Sequence, residues 1–236
     1  QTLKKRQLKH ARILGMGYAV PGFLKPDGKK RHCVAWLSSW RDVDLQQAFE
    51  DNLPWPTWVE NNANASAIGE LYSGTWNSYR DITFIDLGYG IGAGIIADGK
   101  LLRGGFLNAG EVGMAFPGDK PRPSYKDLVA TLTQAGLSEA QLPALTAEQH
   151  PLLEVWFSRC CDQVEQSIMG CLQWLDPQLI ILGGAMPKTI TERLTEVLTQ
   201  RLDARLDPDR PKVRLANSPM GADSASWGAA MIPLYQ

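Results

Sequence analysis

The stretch Ile82-Thr-Phe-Ile-Asp-Leu-Gly-Tyr-Gly-Ile-Gly-Ala-Gly-Ile-Ile-Ala-Asp-Gly99 joins two apolar runs through a segment with glycine at every second position. The first run ends at Asp86, the second starts at Ile95, and glycines stand at 88, 90, 92 and 94. Alternate glycines leave one edge of a hairpin without side chains, so a phosphate chain can approach the backbone amides. The stretch therefore predicts a glycine-rich hairpin at a ligand site.

The rest of the chain alternates predicted strands with predicted helices. Strands are expected over residues 13–20, 55–59, 82–87, 93–97, 100–103, 178–182 and 213–215. Helices are expected over residues 2–11, 45–52, 64–72, 125–134, 151–175, 187–202 and 222–231. This alternation is typical of a mixed or parallel sheet covered by helices.

Composition fits a soluble globular protein of one or two domains. The chain has 236 residues, 44% hydrophobic and 21% charged, with a net charge of −1, so no global field attracts nucleic acid or membrane. Residues 1–31 hold nine Lys/Arg against one acid, Asp27, which predicts solvated basic faces. Contact of this basic start with DNA phosphates is the alternative, although no recognition helix is visible. There is no membrane-spanning apolar run and no signal peptide.

The cysteine pattern does not predict a metal site. Cysteines stand at positions 33, 160, 161 and 171, and none has C-x-x-C spacing. Reduced thiols in a cytoplasmic protein fit this pattern best. No metal and no cofactor are predicted.

Five segments in order give the chain a family resemblance. They are 15–22 (GMGYAVPG), 40–43 (WRDV), 59–65 (VENNANA), 87–94 (LGYGIGAG) continuing to 110–113 (GEVG), and 176–184 (DPQLIILGG). With this set the chain resembles the ROK family of repressors, open reading frames and sugar kinases. The resemblance implies a two-lobed α/β fold of the actin-like, ribonuclease H-like sugar-kinase type, with a partial small lobe over 1–79 and a large lobe over 80–236. We expect this fold to be incomplete at its N-terminus, and an uncovered sheet edge then favours a homodimer or higher oligomer.

The resemblance also implies a hexose site between the lobes. Asn61 and Asn62 of the Glu-Asn-Asn-Ala-Asn motif, Glu111 of Gly-Glu-Val-Gly, and Asp127 occupy the sugar-binding positions. Amides and carboxylates suit a sugar because they donate to or accept from neighbouring hydroxyls. The alternatives are that the two asparagines cap a loop and that Glu111 is a surface acid.

Several positions depart from a sugar kinase. Asn62 stands where the family has an aspartate base, and an amide cannot take a proton from the attacking hydroxyl. Tyr89 stands where a small hydroxyl residue is implied, and its phenol would crowd a nucleotide. Residues 116–123 replace the zinc loop, with Met114 at its histidine position. The first phosphate loop would precede Ile13 and is absent. The vestigial phosphate loop comprises Gly88, Tyr89, Gly90, Gly92, Gly183 and Gly184.

These departures favour a non-catalytic function. The sequence predicts the sugar-sensing effector domain of a ROK-type transcriptional regulator that binds a small sugar or sugar phosphate. Such regulators contact DNA through an N-terminal helix-turn-helix, which this chain does not contain. The alternatives are an ATP-dependent sugar kinase, a degraded relative with residual activity, and a decayed product without function.

Overall fold

A computed structural model describes residues 13–117 and 120–235 of the chain. The predicted helix at 2–11 lies outside these residues. The first described strands are β1 (Met16–Val20) and β2 (Thr57–Asn61), which pair in parallel as a two-stranded sheet. Val20 lies opposite Asn61, so both strands end at the same level.

The larger sheet has five strands and is mixed. Its strands are β3 (Ile82–Leu87), β4 (Ile91–Ala97), β5 (Lys100–Leu101), β6 (Leu179–Gly183) and β7 (Arg214–Asn217). The order across the sheet is β5-β4-β3-β6-β7. Strand β3 is antiparallel to β4 and parallel to β6, and β6 is parallel to β7. The glycine-rich hairpin therefore joins the two strands next to each other at the centre of the sheet.

Seven α-helices connect and cover the described strands. They are α1 (Leu45–Asn52), α2 (Asn62–Tyr72), α3 (Tyr125–Gln134), α4 (Leu142–Ala147), α5 (Pro151–Trp174), α6 (Lys188–Arg205) and α7 (Ser224–Tyr235). Short 3-10 helices include Ala35–Trp40 and Val112–Ala115. Among the described residues, none of these helices has both the length and the apolar content needed to cross a bilayer.

Both faces of the large sheet are buried because its central strands are apolar at nearly every position. Ile85 and Leu87 of β3 join the core formed with α5 and α6, whereas Ile82 and Phe84 join the core on the α2 side. This alternation follows from the two-residue period of a strand. Asp86 lies on the α2 side, two residues beyond Phe84 and on the same face of β3. The pleat of β3 thus directs a carboxylate towards the start of α2.

The last helix packs against the first part of the chain. Helix α7 contacts β1 and α2, and a Cβ at Gly228 would overlap the backbone of Ala65. A glycine is needed there because the two helix backbones approach so closely. The division into lobes 1–79 and 80–236 stays a prediction, and α7 adds a segment of the second range to the packing of the first.

Candidate functional site

The candidate site lies where β2 runs directly into α2. Asn61 is the N-cap of α2: its Oδ1 accepts from the backbone N–H of Ala63 at 2.8 Å and of Asn64 at 3.4 Å. Its Nδ2 donates to the carbonyl oxygen of Gly22 at 3.4 Å. Side-chain oxygens at an N-cap satisfy N–H groups that the helix itself leaves unpaired. The oxygen of Asn61 therefore serves the helix, as the capping interpretation expects.

Asn62 contacts a carboxylate on the neighbouring strand. Its Nδ2 donates to Oδ2 of Asp86 at 2.5 Å, and Asp86 is only 7% exposed. Burial raises the pKa of Asp86 to about 7, because a charge is costly away from water. The other oxygen, Oδ1, lies against Gly184, where a Cβ would overlap it, and near Gly88. Asn62 and Asp86 thus form a polar pair between the two glycine-containing turns.

Arg31 is a buried cation at the same site. The turn at residues 24–31 closes with a bridge between Leu24 and Arg31, and Nη1 of Arg31 donates to the Gly22 carbonyl at 2.9 Å. Burial lowers the pKa of Arg31, while the charges of Glu60 and Glu111 oppose this change. The expected solvated basic face is therefore wrong for Arg31, which is 5% exposed because it is drawn inwards towards two carboxylates.

Glu111 also faces this cation. It is partly buried and immediately precedes the 3-10 helix Val112–Ala115. Burial raises the pKa of Glu111, and the positive charge of Arg31 acts in the opposite direction. Arg31 and Asn61 both donate to the Gly22 carbonyl, and Glu111 interacts with the charge of Arg31 while lining a second pocket together with Gly110 and residues of α5.

Glu60 completes the cluster and extends it towards a cleft. Its Oε1 accepts from the N–H of Asn61 at 2.8 Å and from Nδ2 of Asn64 at 3.0 Å, while Oε2 accepts from Nε of Arg103 at 3.1 Å. Arg31, Glu60 and Arg103 line a cleft of about 340 Å³. Carboxylates and guanidinium groups in a cleft of this size suit a small ligand with many hydroxyl groups.

The glycines of the hairpin have different surroundings. Gly92 and Gly94 face α2: a Cβ would lie 3.4 Å from Cβ of Ala63 at Gly92 and 2.7 Å from Cβ of Ala67 at Gly94. A Cβ at Gly90 would meet nothing within 4 Å. The interpretation that alternate glycines leave an edge free for a ligand is therefore wrong for Gly94, which makes room for a helix, while Gly92 stays a predicted member of the phosphate loop.

Tyr89 lies at the tip of the same hairpin and is 46% exposed. Its ring meets Trp36 edge-on, with centroids 6.1 Å apart, and Nζ of Lys126 lies 4.6 Å from its centroid. Both contacts hold the ring in place although it stays partly exposed, because cations and ring edges are attracted to an aromatic face. The tip of the hairpin is thus joined to the 3-10 helix Ala35–Trp40 and to α3.

Asp127 makes contacts that hold two helices together. Its Oδ2 accepts from Nε1 of Trp156 at 2.8 Å and from Nη2 of Arg159 at 2.6 Å. Both donors belong to α5, whereas Asp127 is in the first turn of α3. The Asp127 carboxylate therefore joins α3 to α5, and none of its described hydrogen bonds involves Asn61, Asn62 or Glu111.

Sequence reasoning missed Arg31, Glu60 and Asp86 as members of the site. Glu60 belongs to the motif that contains Asn61 and Asn62, and its position beside them was a usable signal. Asp86 is a charged residue inside an otherwise apolar strand, which is also a signal, since a buried acid needs a partner. Arg31 had none, because it is one of nine basic residues near the start of the chain.

The chain is similar to sequences named as repressors and to others named as kinases. It is 29% identical over 228 residues to an uncharacterised protein of Sinorhizobium fredii, covering 95% of this chain and 58% of that protein. It is 36% identical over 113 residues to the xylose repressor of Caldicellulosiruptor bescii, covering 48% and 28% of the two chains. It is 37% identical over 102 residues to a glucokinase of Halalkalibacterium halodurans, covering 43% and 30%. The matched region spans less than two thirds of each relative's length.

Solved structures share the fold at low sequence identity. A ROK family glucokinase from Streptomyces griseus, in complex with glucose and AMPPNP, has a TM-score of 0.75 and 22% identity, covering 92% of this chain and 80% of its own. A ROK family transcriptional regulator, a homologue of the E. coli MLC protein, has a TM-score of 0.76 and 20% identity, covering 99% and 65%. The predicted actin-like sugar-kinase fold class is therefore confirmed.

The family model described as "ROK family" matches residues 1–122 of the 236. This match covers more than half of the chain, and it includes the turn at Arg31, the β2–α2 junction, the glycine-rich hairpin and Glu111. The chain belongs to the ROK family.

Proposed function

We propose that this chain is the sugar-sensing effector domain of a ROK-type transcriptional regulator and does not phosphorylate its ligand. The observation that carries the proposal is the hydrogen bond between Asn62 and the buried Asp86. The family's kinases have an aspartate base at the position of Asn62, and an amide there cannot take the proton of an attacking hydroxyl.

The surroundings of Asp86 also disfavour a nucleotide. Its carboxylate fills the space beside Gly88 and Gly184, the two turns against which phosphates would have to lie. An anionic phosphate brought there would meet a buried carboxylate of like charge, which is costly in a region of low dielectric. Tyr89, which contacts Trp36 and Lys126, adds a bulky ring at the hairpin tip.

The same cluster suits a neutral polyol. The carbonyl oxygen of Asn62 and the carboxylate of Glu111 accept hydrogen bonds, and the guanidinium of Arg31 donates, so together they offer partners to vicinal hydroxyl groups. We propose a small sugar or sugar phosphate as the effector, and a helix-turn-helix outside this chain as the reader of operator DNA. We further propose that the domain works as a homodimer or higher oligomer.

Catalysis is tested directly by incubating the protein with ATP, Mg²⁺ and a panel of hexoses and pentoses. We expect no sugar-dependent ADP release, and no rescue by Asn62→Asp, because that change places a second carboxylate against Asp86. Robust sugar-dependent ADP release by the unmodified protein would contradict the proposal.

Binding is tested by thermal shift and calorimetry with D-xylose, D-glucose and N-acetylglucosamine. A sugar that binds only the folded state raises the melting temperature. We expect Glu111→Ala to weaken binding of the responding sugar by about 1.5–3 kcal/mol, the range for a hydrogen bond to a charged group. Glu196→Ala, on the exposed side of α6, is the matched control and should leave the affinity unchanged. Equal affinity for both variants would exclude Glu111 from the sugar site.

A sugar kinase is the second candidate, and a specific observation favours it. The pKa of Asp86, raised to about 7, suits a general base near neutral pH, and its carboxylate is hydrogen-bonded to Asn62, the residue at the position of the family's aspartate base. If ADP release is observed, Asp86→Asn should abolish it. A turnover that survives Asp86→Asn would exclude Asp86 as the base.

A further inference from the structure

The amide of Asn62 has a donor group, NH₂, and an acceptor group, C=O, and Asp86 determines which of the two groups faces it. An ionised carboxylate only accepts hydrogen bonds, so the end of the amide that faces Asp86 must be the NH₂ group. The observed bond from Nδ2 to Oδ2 at 2.5 Å has this arrangement. The end of the amide that remains for a ligand is therefore the carbonyl oxygen, which accepts and does not donate.

The carboxylate that determines this orientation is held in place. Asp86 lies on β3 between two paired strands, opposite Gly92 of β4 and Gly183 of β6. Its Oδ1 lies against Gly184 and near Gly88, so the carboxylate has little room to turn away from Asn62. The neighbours described for it, Asn62 and the glycines 88, 92, 183 and 184, do not titrate, and burial is the cause of its raised pKa.

Protonation of Asp86 would allow both orientations of the Asn62 amide. A protonated carboxyl group can donate as well as accept, so Asn62 could then present either its carbonyl oxygen or its NH₂ group to a ligand. A ligand hydroxyl that must donate would find its acceptor in only part of the molecules. Such a site binds more weakly in proportion to the fraction that holds the competent arrangement.

We propose that Asp86 is a positioning residue of the sugar site: its ionised carboxylate fixes Asn62 with the carbonyl oxygen towards the ligand, so that sugar affinity falls as Asp86 is protonated. This inference rests on the proposed function, because it needs a sugar at Asn62. Burial raises the pKa of Asp86 to about 7, which places the change within the pH range where binding can be measured. The domain would then sense its sugar and the pH together.

The test is the pH profile of binding, measured by calorimetry between pH 6 and pH 8.5 with D-xylose and D-glucose as probes. For the unmodified protein we expect the dissociation constant to rise by about two- to tenfold towards acid, the range for one hydrogen bond. Asp86→Asn should bind at every pH as weakly as the unmodified protein does in acid, since an amide can also present either end. Its profile should lack the step; a change due to Glu111 would be the same in both proteins and is subtracted before the profiles are compared.

A second variant covers the case in which Asp86→Asn does not fold. Asn62→Ser leaves Asp86 in place but removes the amide, and a hydroxyl group can donate or accept in either state of Asp86. The step should disappear in this variant too. A step that persists in either folded variant overturns the inference while the proposed function stands. Binding of neither sugar at any pH contradicts both the inference and the proposed function for these ligands.

Discussion

At the scale of single residues, the site depends on charged side chains that are buried. Arg31 directly follows Lys29 and Lys30 in the sequence, yet its guanidinium is buried, bonded to the Gly22 carbonyl and near the charges of Glu60 and Glu111. A buried charge that loses its partner is far more costly than a surface charge that does so. Arg31 therefore contributes to folding as well as to the site.

Arg31→Met should destabilise the protein by about 1–3 kcal/mol, because the change removes the bond to the Gly22 carbonyl and the positive charge beside Glu111, while Glu60 keeps Arg103. The measurement is urea unfolding followed by circular dichroism. Lys29→Met, two residues away and exposed, is the control and should change stability by less than about 0.5 kcal/mol. Equal small losses for both variants would show that Arg31 is not the central cation of the cluster.

At the scale of elements, the glycines of the hairpin mainly allow α2 to approach β4. The sequence predicted the hairpin but not this use of it, because the alternating glycines are compatible with a ligand or with a helix. Only the path of the chain from β2 into α2 brings Ala63 and Ala67 against them. The same path places Asn62 beside Asp86, 24 residues further along the chain.

Gly94→Ala should therefore lower stability by about 1–3 kcal/mol, since its Cβ would meet Ala67 and the backbone of Ala63. Gly90→Ala is the matched control from the same hairpin, because its Cβ would enter open space. Thermal and urea unfolding of the two variants make the comparison. A Gly90→Ala loss as large as that of Gly94→Ala would contradict the packing role.

Asp127 gives a second prediction at this scale. Asp127→Asn should lower stability by about 1–3 kcal/mol, because it removes the ion pair with Arg159 and weakens the bond from Trp156. Sugar affinity should stay within twofold of the unmodified value if the residue holds α3 to α5 rather than contacts the ligand. Calorimetry decides: a tenfold loss of affinity without a loss of stability would return Asp127 to the sugar site.

The regular elements were predictable where apolar runs are long. Strand β3 was predicted over 82–87 and helix α3 over 125–134, as observed, and β6 was shifted by one residue. Helix α4, at Leu142–Ala147, was missed because it has only six residues, too few to show a helical pattern, and a proline in its first turn. The start of α2 was placed two residues late, because two asparagines before an alanine suggest a loop until the cap at Asn61 is seen.

At the scale of the whole molecule, two sets of contacts join the last described elements to the first ones. Helix α7 packs on β1 and α2, so the end of the described chain supports its beginning. Glu70 of α2 accepts from Nε1 of Trp76 at 2.7 Å and also bonds the hydroxyl of Ser218, which follows β7. Burial raises the pKa of Glu70, while both hydrogen bonds act in the opposite direction.

A chain ending at Asp223 should consequently lose cooperative unfolding. Without α7, the two-stranded sheet of β1 and β2 lacks one of its supports, and isolated two-stranded sheets are marginal in water. We expect a broad melting curve by circular dichroism and early proteolytic cleavage within residues 13–61. Full-length Trp227→Ala, which alters an exposed face of α7 (57% exposed), should melt like the unmodified protein. A sharp transition at the original temperature for the shortened chain would contradict this role of α7.

The contact between Trp36 and Tyr89 gives the protein an optical label at its hairpin tip. Trp36 is 60% exposed, and its ring meets the Tyr89 ring edge-on at 6.1 Å, close enough for the phenol to transfer excitation to the indole. A ligand that separates the 3-10 helix from the hairpin would change the emission of this one tryptophan. Subtracting the spectrum of Trp36→Phe isolates that signal from the other seven tryptophans of the eight. A ligand that moves these two rings apart would thus be detected by the chain's own fluorescence, without an attached dye.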